Sequence, residues 1–116
     1  KDVIATFDEL LTRFPQLTYV AEAKEKKAAC IHKLIEKEDY IGDFYFRRSS
    51  CESAIHRYEN LFQKFKADEY EPRALSRLVI CSKKIGNASQ AQKYFILLKE
   101  KHPNTLEFRE AREAMN

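Results

Sequence analysis

The stretch IGDFYFRRSSCESAIHRYENLFQKF, residues 41–65, decides the fold of this chain. Small side chains at Gly42 and Ala54 would let two antiparallel helices approach each other closely. The rings of Tyr45 and Tyr58 have the spacing to fill the space beside that contact. The stretch therefore predicts a helical hairpin.

A register of apolar positions recurs three times along the chain. Its copies are Phe7, Leu10, Phe14 and Ala23, then Tyr58, Leu61, Phe65 and Ala74, then Phe95, Leu98, His102 and Ala111. Self-similarity at this scale is typical of arrays in which each helix pair covers the apolar face of the next. Such arrays present an extended surface and rarely a closed pocket, so the pattern favours a binding scaffold.

The spacing in the middle unit is that of a tetratricopeptide repeat. The next unit is a degenerate copy, because Val79 and Ser82 replace its small residue and its aromatic, although it keeps Gly86, Ala91, Phe95, Leu98 and Pro103. The residues predicted to pack the repeats are Gly42, Tyr45, Ala54, Tyr58, Ala91 and Phe95. The predicted fold is all-α, a tetratricopeptide-like solenoid of helical hairpins with about five helices.

Composition agrees with an all-helical fold and narrows the function. The 116 residues include two Gly and three Pro, which leaves little material for β-hairpin turns or for a Gly-rich phosphate loop. The net charge is +3 and the two signs are mixed along the chain. Nucleic-acid binding is not predicted, because phosphate-binding surfaces need clustered Lys and Arg.

The residue types that usually carry chemistry are scattered. Cys30, Cys51 and Cys81 have no CxxC spacing, and the three His lack a convergent set of acids, so no metal, cofactor or catalytic residue is predicted. The thiols are predicted to be small buried hydrophobes, and one disulfide in an oxidising compartment stays open as an alternative. The chain is thus predicted not to be an enzyme.

Caps and helix breakers divide the chain, which is predicted to be one domain over 1–116 and a fragment of a longer protein. The predicted parts are the end of an upstream repeat at 1–15, a middle repeat with a long first helix at 18–66, a further repeat at 68–103, and a terminal helix at 104–116. Capping boxes are predicted at Ser49 with Glu52, Asp68 with Glu71, and Asn87 with Gln90. Gly86 is predicted to end one helix in the left-handed conformation, and Asn104 or Thr105 to cap the last helix.

Longer phrases carry a more specific resemblance. FDELLTRFPQLTYVAEA at 7–23, the stretch at 41–65, and EPRALSRLVICSKKIGNASQAQKYFILLKEKHPNT at 71–105 resemble the C-terminal half of the BamD family. These are tetratricopeptide lipoproteins of the bacterial outer-membrane β-barrel assembly machine. The most specific part is 38–61. The chain departs from the family pattern where Ser49 and Ser50 replace the Gly that is common in the turn after the aromatic cluster, where Cys51 replaces a bulky aromatic, and where Lys66 replaces Pro.

The resemblance implies a location at the periplasmic face of the outer membrane of a Gram-negative bacterium, through a lipid anchor that this chain does not contain. It also implies that this half docks on the POTRA domains of BamA, with other lipoproteins of the machine as possible partners. Unfolded outer-membrane proteins would be bound by the N-terminal half of the family. In the family, the position of Arg57 contributes an ion pair to the docking surface, which makes Arg57 the first contact candidate.

Four further residues are candidates for partner binding. Arg73 and Arg77, about one turn apart on one helix, would extend the basic surface, and Tyr40 or Phe46 would act as an aromatic anchor. Local alternatives stay open, because Arg57 has acids nearby in sequence and either aromatic could pack between repeats. The acid run Glu36, Glu38 and Asp39 is predicted to be a solvated helix face.

A second function class also stays open. An unrelated tetratricopeptide adaptor would hold a peptide in its concave groove, with groove-facing Lys, Arg and Asn side chains binding the peptide carboxylate. That function needs cationic side chains in the groove that are free to bind an anion.

Overall fold

A computed structural model describes residues 20–116 of the chain. This part contains five α-helices and no strand: α1 Val20–Arg47, α2 Cys51–Lys64, α3 Glu71–Lys84, α4 Ala88–Lys101 and α5 Leu106–Met115. The predicted all-α, tetratricopeptide-like fold is confirmed. The first copy of the apolar register, apart from Ala23, and the upstream repeat end at 1–15 lie outside the described residues.

The chain divides into two compact units, Lys1–Glu36 and Lys37–Asn116. In the described part of the first unit, α1 carries two exposed i,i+4 pairs, Lys26 with Glu22 at 3.3 Å and His32 with Glu36 at 3.6 Å. An exposed Lys–Glu pair of this kind contributes about 0.3–0.5 kcal/mol. The predicted division of the chain into one domain and its repeats stays a prediction.

In the second unit, the end of α1 and α2 form a close hairpin at Gly42. A Cβ added to Gly42 would lie 2.8 Å from Cζ of Tyr58 and 3.0 Å from both Cε atoms of that ring. Tyr58 and Ala54 are completely buried. The missing side chain at Gly42 is therefore what allows the Tyr58 ring to lie flat against α1.

Two turns of the second unit have the same backbone geometry. After α1, Ser50 N donates to Tyr45 O at 2.9 Å and Ser49 N to Phe46 O at 3.1 Å. After α3, Asn87 N donates to Ser82 O at 2.9 Å and Gly86 N to Lys83 O at 3.1 Å. Both are Schellman motifs, with Ser49 at φ 60° and Gly86 at φ 83° as the left-handed residues.

The hydrophobic core surrounds α3, which packs against α2, α4 and α5. The apolar residues that are at most 1% exposed are Ala54, Tyr58, Leu61, Ala74, Leu75, Leu78, Val79, Cys81, Ala91, Tyr94, Leu98 and Ala111. The ring of Phe95 stacks on Phe108 with centroids 5.4 Å apart, which joins α4 to α5. This core positions the polar side chains of α1 and α3 described below.

Helix starts follow the predicted caps in two cases and differ in two. Asn87 accepts a hydrogen bond from Gln90 N, and Thr105 accepts one from Phe108 N, as predicted. The capping box at Ser49 is wrong: α2 begins at Cys51 after Ser50, which makes no side-chain cap. Ser49 is the left-handed residue that ends α1 and so is not free to begin the next helix.

The capping box at Asp68 is also wrong. Helix α3 begins at Glu71 after Tyr70, without a side-chain cap. Pro72 stands in its first turn, where a fixed φ favours a helix start and a missing N–H costs nothing. The proline therefore sets this boundary three residues later than Asp68.

Candidate functional site

Charged side chains of α1 and α3 meet inside the second unit. Arg73 Nε lies 3.5 Å from Asp39 Oδ1, an ion pair without a hydrogen bond, and Arg73 Nη2 lies 3.0 Å from Asp43 Oδ1. Arg77 Nη1 donates to Asp43 Oδ1, and Tyr58 joins from α2. We call these five residues, Asp39, Asp43, Tyr58, Arg73 and Arg77, the Asp43 cluster.

Arg77 is the centre of this cluster. Its Nη1 also donates to the hydroxyl of Tyr58 at 2.7 Å, and its guanidinium lies over the ring of Phe46, 4.3 Å from the centroid. On the other side of Asp43, Arg47 Nε donates to Oδ2 at 2.7 Å. Arg77 therefore connects α1, α2 and α3 through one side chain.

The electrostatics of the two acids differ. Burial acts to raise the pKa of Asp43, but hydrogen bonds from Arg47 and Arg77 outweigh it and lower the pKa to about 2. Burial raises the pKa of Asp39 against the opposing charges of Arg73 and Arg77. Asp43 is thus held as a carboxylate, and it neutralises the arginine that lies against it.

Arg57 lies outside the cluster. Its Nη1 donates to Glu38 Oε1 at 2.9 Å, joining α2 to α1, and 35% of its side chain is exposed against 14% for Glu38. An open depression of about 270 Å³ lies beside it, lined also by Tyr45, Glu52 and His56. The alternative considered from the sequence was an ion pair between Arg57 and a nearby acid on α2, whereas the observed partner, Glu38, lies on α1.

The two aromatic candidates have different surroundings. Tyr40 is 73% exposed and lines a depression with Phe44 and Arg47. Phe46 is half-buried under Arg77. The structure thus brings Phe46, Arg73 and Arg77 together, and leaves Arg57 and Tyr40 apart from them; a binding role for each stays a prediction.

The prediction of a solvated acid run is wrong for two of its three residues. Glu38 and Asp39 are half-buried and pair with Arg57 and Arg73, whereas Glu36 is exposed. Asp43, the most buried acid, was not singled out by the sequence analysis. The sequence did contain a signal for its burial. Asp43 stands between a small and an aromatic neighbour on an apolar stripe, and a buried acid needs a cationic partner.

The cysteines of the described residues form no disulfide in the structure. Cys51 and Cys81 are buried free thiols, as expected for small hydrophobes, and Cys30 is half-buried. Burial, with the neighbouring Cys51, raises the pKa of Cys81 to about 12. Within residues 20–116, no group of three metal-ligating side chains comes together.

Stacked antiparallel helix pairs, with a small residue against an aromatic ring where the helices approach, define a tetratricopeptide-like repeat protein. The family can be stated from the sequence comparison. The chain belongs to the outer membrane lipoprotein family YfiO, whose profile matches residues 1–105. The resemblance to BamD proteins noted from the sequence is thereby confirmed.

Curated relatives support this assignment at modest identity. The chain is 29% identical over 100 residues to the outer membrane protein assembly factor BamD of Rickettsia prowazekii, covering 86% of this chain and 40% of that protein. It is 26% identical over 93 residues to the BamD of Caulobacter vibrioides, covering 80% and 30%. With the BamD of Vibrio cholerae it shares 31% identity over 75 residues, covering 65% and 31%. The chain thus spans between 30% and 40% of the length of these relatives.

Among the helices of residues 20–116, none combines the length and the apolar character needed to span a bilayer.

Proposed function

We propose that this chain is a non-enzymatic docking module of the outer-membrane β-barrel assembly machine, at the periplasmic face of the outer membrane. Membership of an outer membrane lipoprotein family and relatives named as assembly factors support the proposal. The proposed partner is the POTRA region of BamA, with other lipoproteins of the machine as further partners. Unfolded outer-membrane proteins are proposed to be bound by the N-terminal half of the longer family members.

The observation that carries the proposal is that, within the described part of the chain, the guanidinium of Arg57 is hydrogen-bonded through only one of its nitrogens. Glu38 binds Nη1, while Nε and Nη2 have no partner among residues 20–116. Glu38 therefore fixes the direction of the guanidinium and leaves its other edge available. A guanidinium edge of this kind matches a carboxylate with two parallel hydrogen bonds.

The environment of Arg57 suits a protein contact. The depression beside it is shallow and is lined by the half-buried Tyr45, which would partly shield an approaching carboxylate from water, and also by Glu52, whose negative charge would oppose that carboxylate. Shielding strengthens the ion pair relative to one in open solvent. A Lys side chain would offer a point charge without the fork, so it would be a poorer replacement.

The test is titration calorimetry of the chain against the POTRA region of the BamA of its own organism. We expect the parent chain to bind and Arg57→Glu to weaken binding by at least tenfold, or about 1.4 kcal/mol. Arg57→Lys should bind with intermediate affinity. Far-UV circular dichroism of each variant establishes that the helices are intact.

Lys99→Glu is the matched control, because Lys99 is an exposed residue of α4 and the substitution makes the same charge change. We expect it to bind as the parent does. Equal losses for Arg57→Glu and Lys99→Glu would show a general charge effect, and no binding by the parent would overturn the proposed function.

A further inference from the structure

A groove lies where α1, α3 and α5 meet. Its volume is about 280 Å³, and it is lined by Phe46 from α1, by Arg73, Ser76, Arg77 and Ile80 from α3, and by Glu107 and Glu110 from α5. None of these residues belongs to α2, which carries Arg57. We call it the α3 groove.

Two residues that line the groove carry a buried polar atom without a hydrogen bond among the described residues, Arg73 Nε, which lies 3.5 Å from Asp39, and Ser76 Oγ. Ser76 is 2% exposed, and its hydroxyl has no hydrogen-bond partner among the described residues. A buried hydroxyl without a partner costs about 1–3 kcal/mol, so such groups are normally paired. A ligand donor that enters the groove would satisfy this oxygen.

The charges that are free in the groove are negative. Arg73 and Arg77 already pair with Asp39 and Asp43 of the Asp43 cluster. In contrast, Glu107 and Glu110 make no ion pair or hydrogen bond within residues 20–116. A peptide carboxylate would therefore meet two arginines that already have carboxylate partners and two carboxylates that have no cationic partner, and binding of an anion is disfavoured.

The remaining walls are apolar and the space is small. Ile80 and the Phe46 ring supply hydrocarbon surface, and the volume of about 280 Å³ is just below the range of about 300–1,000 Å³ for small-molecule sites. One long side chain with an aliphatic stem and a cationic head fits these features. Arginine fits better than lysine, because its planar fork offers five donors to two carboxylates and a hydroxyl.

We propose that the α3 groove binds an arginine side chain of an extended segment of a partner protein, with Glu107 and Glu110 holding the guanidinium and Ser76 accepting one of its hydrogen bonds. This inference goes beyond the proposed docking function, because it assigns a cationic ligand to a groove that does not include Arg57, although Phe46, Arg73 and Arg77 were also candidates for the docking surface. It also replaces the carboxylate-binding groove of a generic tetratricopeptide adaptor with a cation-binding one.

The test is selection of a phage-displayed random heptapeptide library against the chain, with the double variant Glu107→Gln/Glu110→Gln as the counter-target. We expect enriched peptides to contain arginine and to be lost on the double variant. The affinity of one enriched peptide is then compared with that of its citrulline analogue, which has the same shape without the charge. We expect at least a tenfold weaker affinity for the citrulline peptide by fluorescence polarisation.

Three variants test whether the peptide binds in the α3 groove. Glu113→Gln removes a charge from the same helix outside the groove and should leave peptide binding unchanged. Ser76→Ala should weaken it several-fold, and Arg57→Glu should retain it even where POTRA binding is lost. Enrichment of acidic peptides, equal binding by the double variant, or no enrichment at all would overturn the proposal without bearing on the docking function.

Discussion

The two hairpins of the second unit have turns of the same backbone geometry, but the side chains at their helix–helix contacts differ. The end of α1 contributes Gly42 and the buried carboxylate of Asp43, which pair with a ring on α2 and with arginines of α3. In the second hairpin, the corresponding contact between α3 and α4 has the buried apolar side chains of Val79, Ala91 and Leu98 and a neutral hydrogen bond from Gln90 to Ser82. Its charged contacts, from Lys101 and His102 to Glu71, lie at the far end of the helices. The same repeat geometry is thus supported at this contact by a buried ion-pair cluster in one copy and by apolar packing with a neutral hydrogen bond in the next.

This difference has a physical meaning. Apolar packing is nearly independent of pH and of partner identity. A buried ion pair adds little net stability compared with a hydrophobic pair, yet breaking it is costly because a charge is left unpaired. The first hairpin is therefore the more specific of the two in its pairing, and it is also the more sensitive to single changes.

Of the substitutions that test this comparison, Asp43→Asn is expected to have the largest effect on the free energy of unfolding. The pKa of Asp43 is about 2 in the folded chain against 3.8 for an unperturbed group, which corresponds to stabilisation on the order of 2 kcal/mol. Because the folded pKa is lowered, this contribution is fully present above pH 4 and is lost as the pH falls towards 2. Urea unfolding from pH 7 to pH 2 should show that loss in the parent and not in the variant.

Asp39 faces the same arginines and acts with the opposite sign. Its pKa is raised by burial, so its protonation favours the folded state as the pH falls through that raised pKa. The negative charge of Asp43 contributes to that rise, so the parent and Asp43→Asn are both compared in an Asp39→Asn background, where this effect is absent. Leu78→Ala, in the apolar core, serves as the control: it should destabilise by about 3 kcal/mol at every pH. An equal pH slope for the parent and Asp43→Asn would contradict the assigned role of Asp43.

The next effect concerns the close approach in the first hairpin. On helix propensity alone, Gly42→Ala would stabilise α1 by about 1 kcal/mol. The added Cβ would meet the Tyr58 ring at 2.8 Å, and that ring is buried and bound through its hydroxyl to Arg77. We therefore expect a net loss of about 1–2 kcal/mol from overpacking, measured by thermal unfolding.

A double variant distinguishes this clash from other causes. Tyr58→Leu removes the atoms nearest to Gly42, so adding Gly42→Ala to Tyr58→Leu should cost less than it does in the parent. A stabilising effect of Gly42→Ala in the parent chain would show that the ring moves freely, and the comparison of the hairpins would lose its basis.

The smallest effect concerns the two turns. Ser49 is in the left-handed region at φ 60°, where a Cβ is unfavourable, whereas Gly86 occupies the equivalent position without that cost. We expect Ser49→Gly to stabilise by up to about 1 kcal/mol and Gly86→Ser to destabilise by a similar amount. No atom lies within 4 Å of a Cβ at Gly86, so its effect is purely conformational. If both substitutions changed the free energy of unfolding in the same direction, as measured by urea unfolding, the two turns would not be equivalent.

The fold was largely predictable because its signals are local. Asn87 with Gln90, Gly86 and Thr105 act through their own backbone neighbours, and each has the predicted role. The starts of α2 and α3 were misplaced because a left-handed turn at Ser49 and the proline at Pro72 compete with the capping pattern.

The candidate site was less predictable because its contacts are distant in sequence. Asp43 and Arg77 are 34 residues apart, and Arg57 and Glu38 are 19 apart. Spacing within one helix reveals only partners three or four residues away, so the acids before Asp43 were predicted to be solvated. The composition of the α3 groove depends on α1, α3 and α5 together and has no signature in any one segment.

The arrangement around Arg77 has a mechanical consequence. In a solenoid each repeat contacts only its neighbours, so its resistance to bending depends on the joints between successive repeats. Here a single guanidinium binds the last turns of α1, the buried ring of α2 and its own helix in the following repeat. Under tension or bending, sliding of one repeat past the next would have to break all of these bonds at once. We therefore expect the joint between α1, α2 and α3 to resist shear.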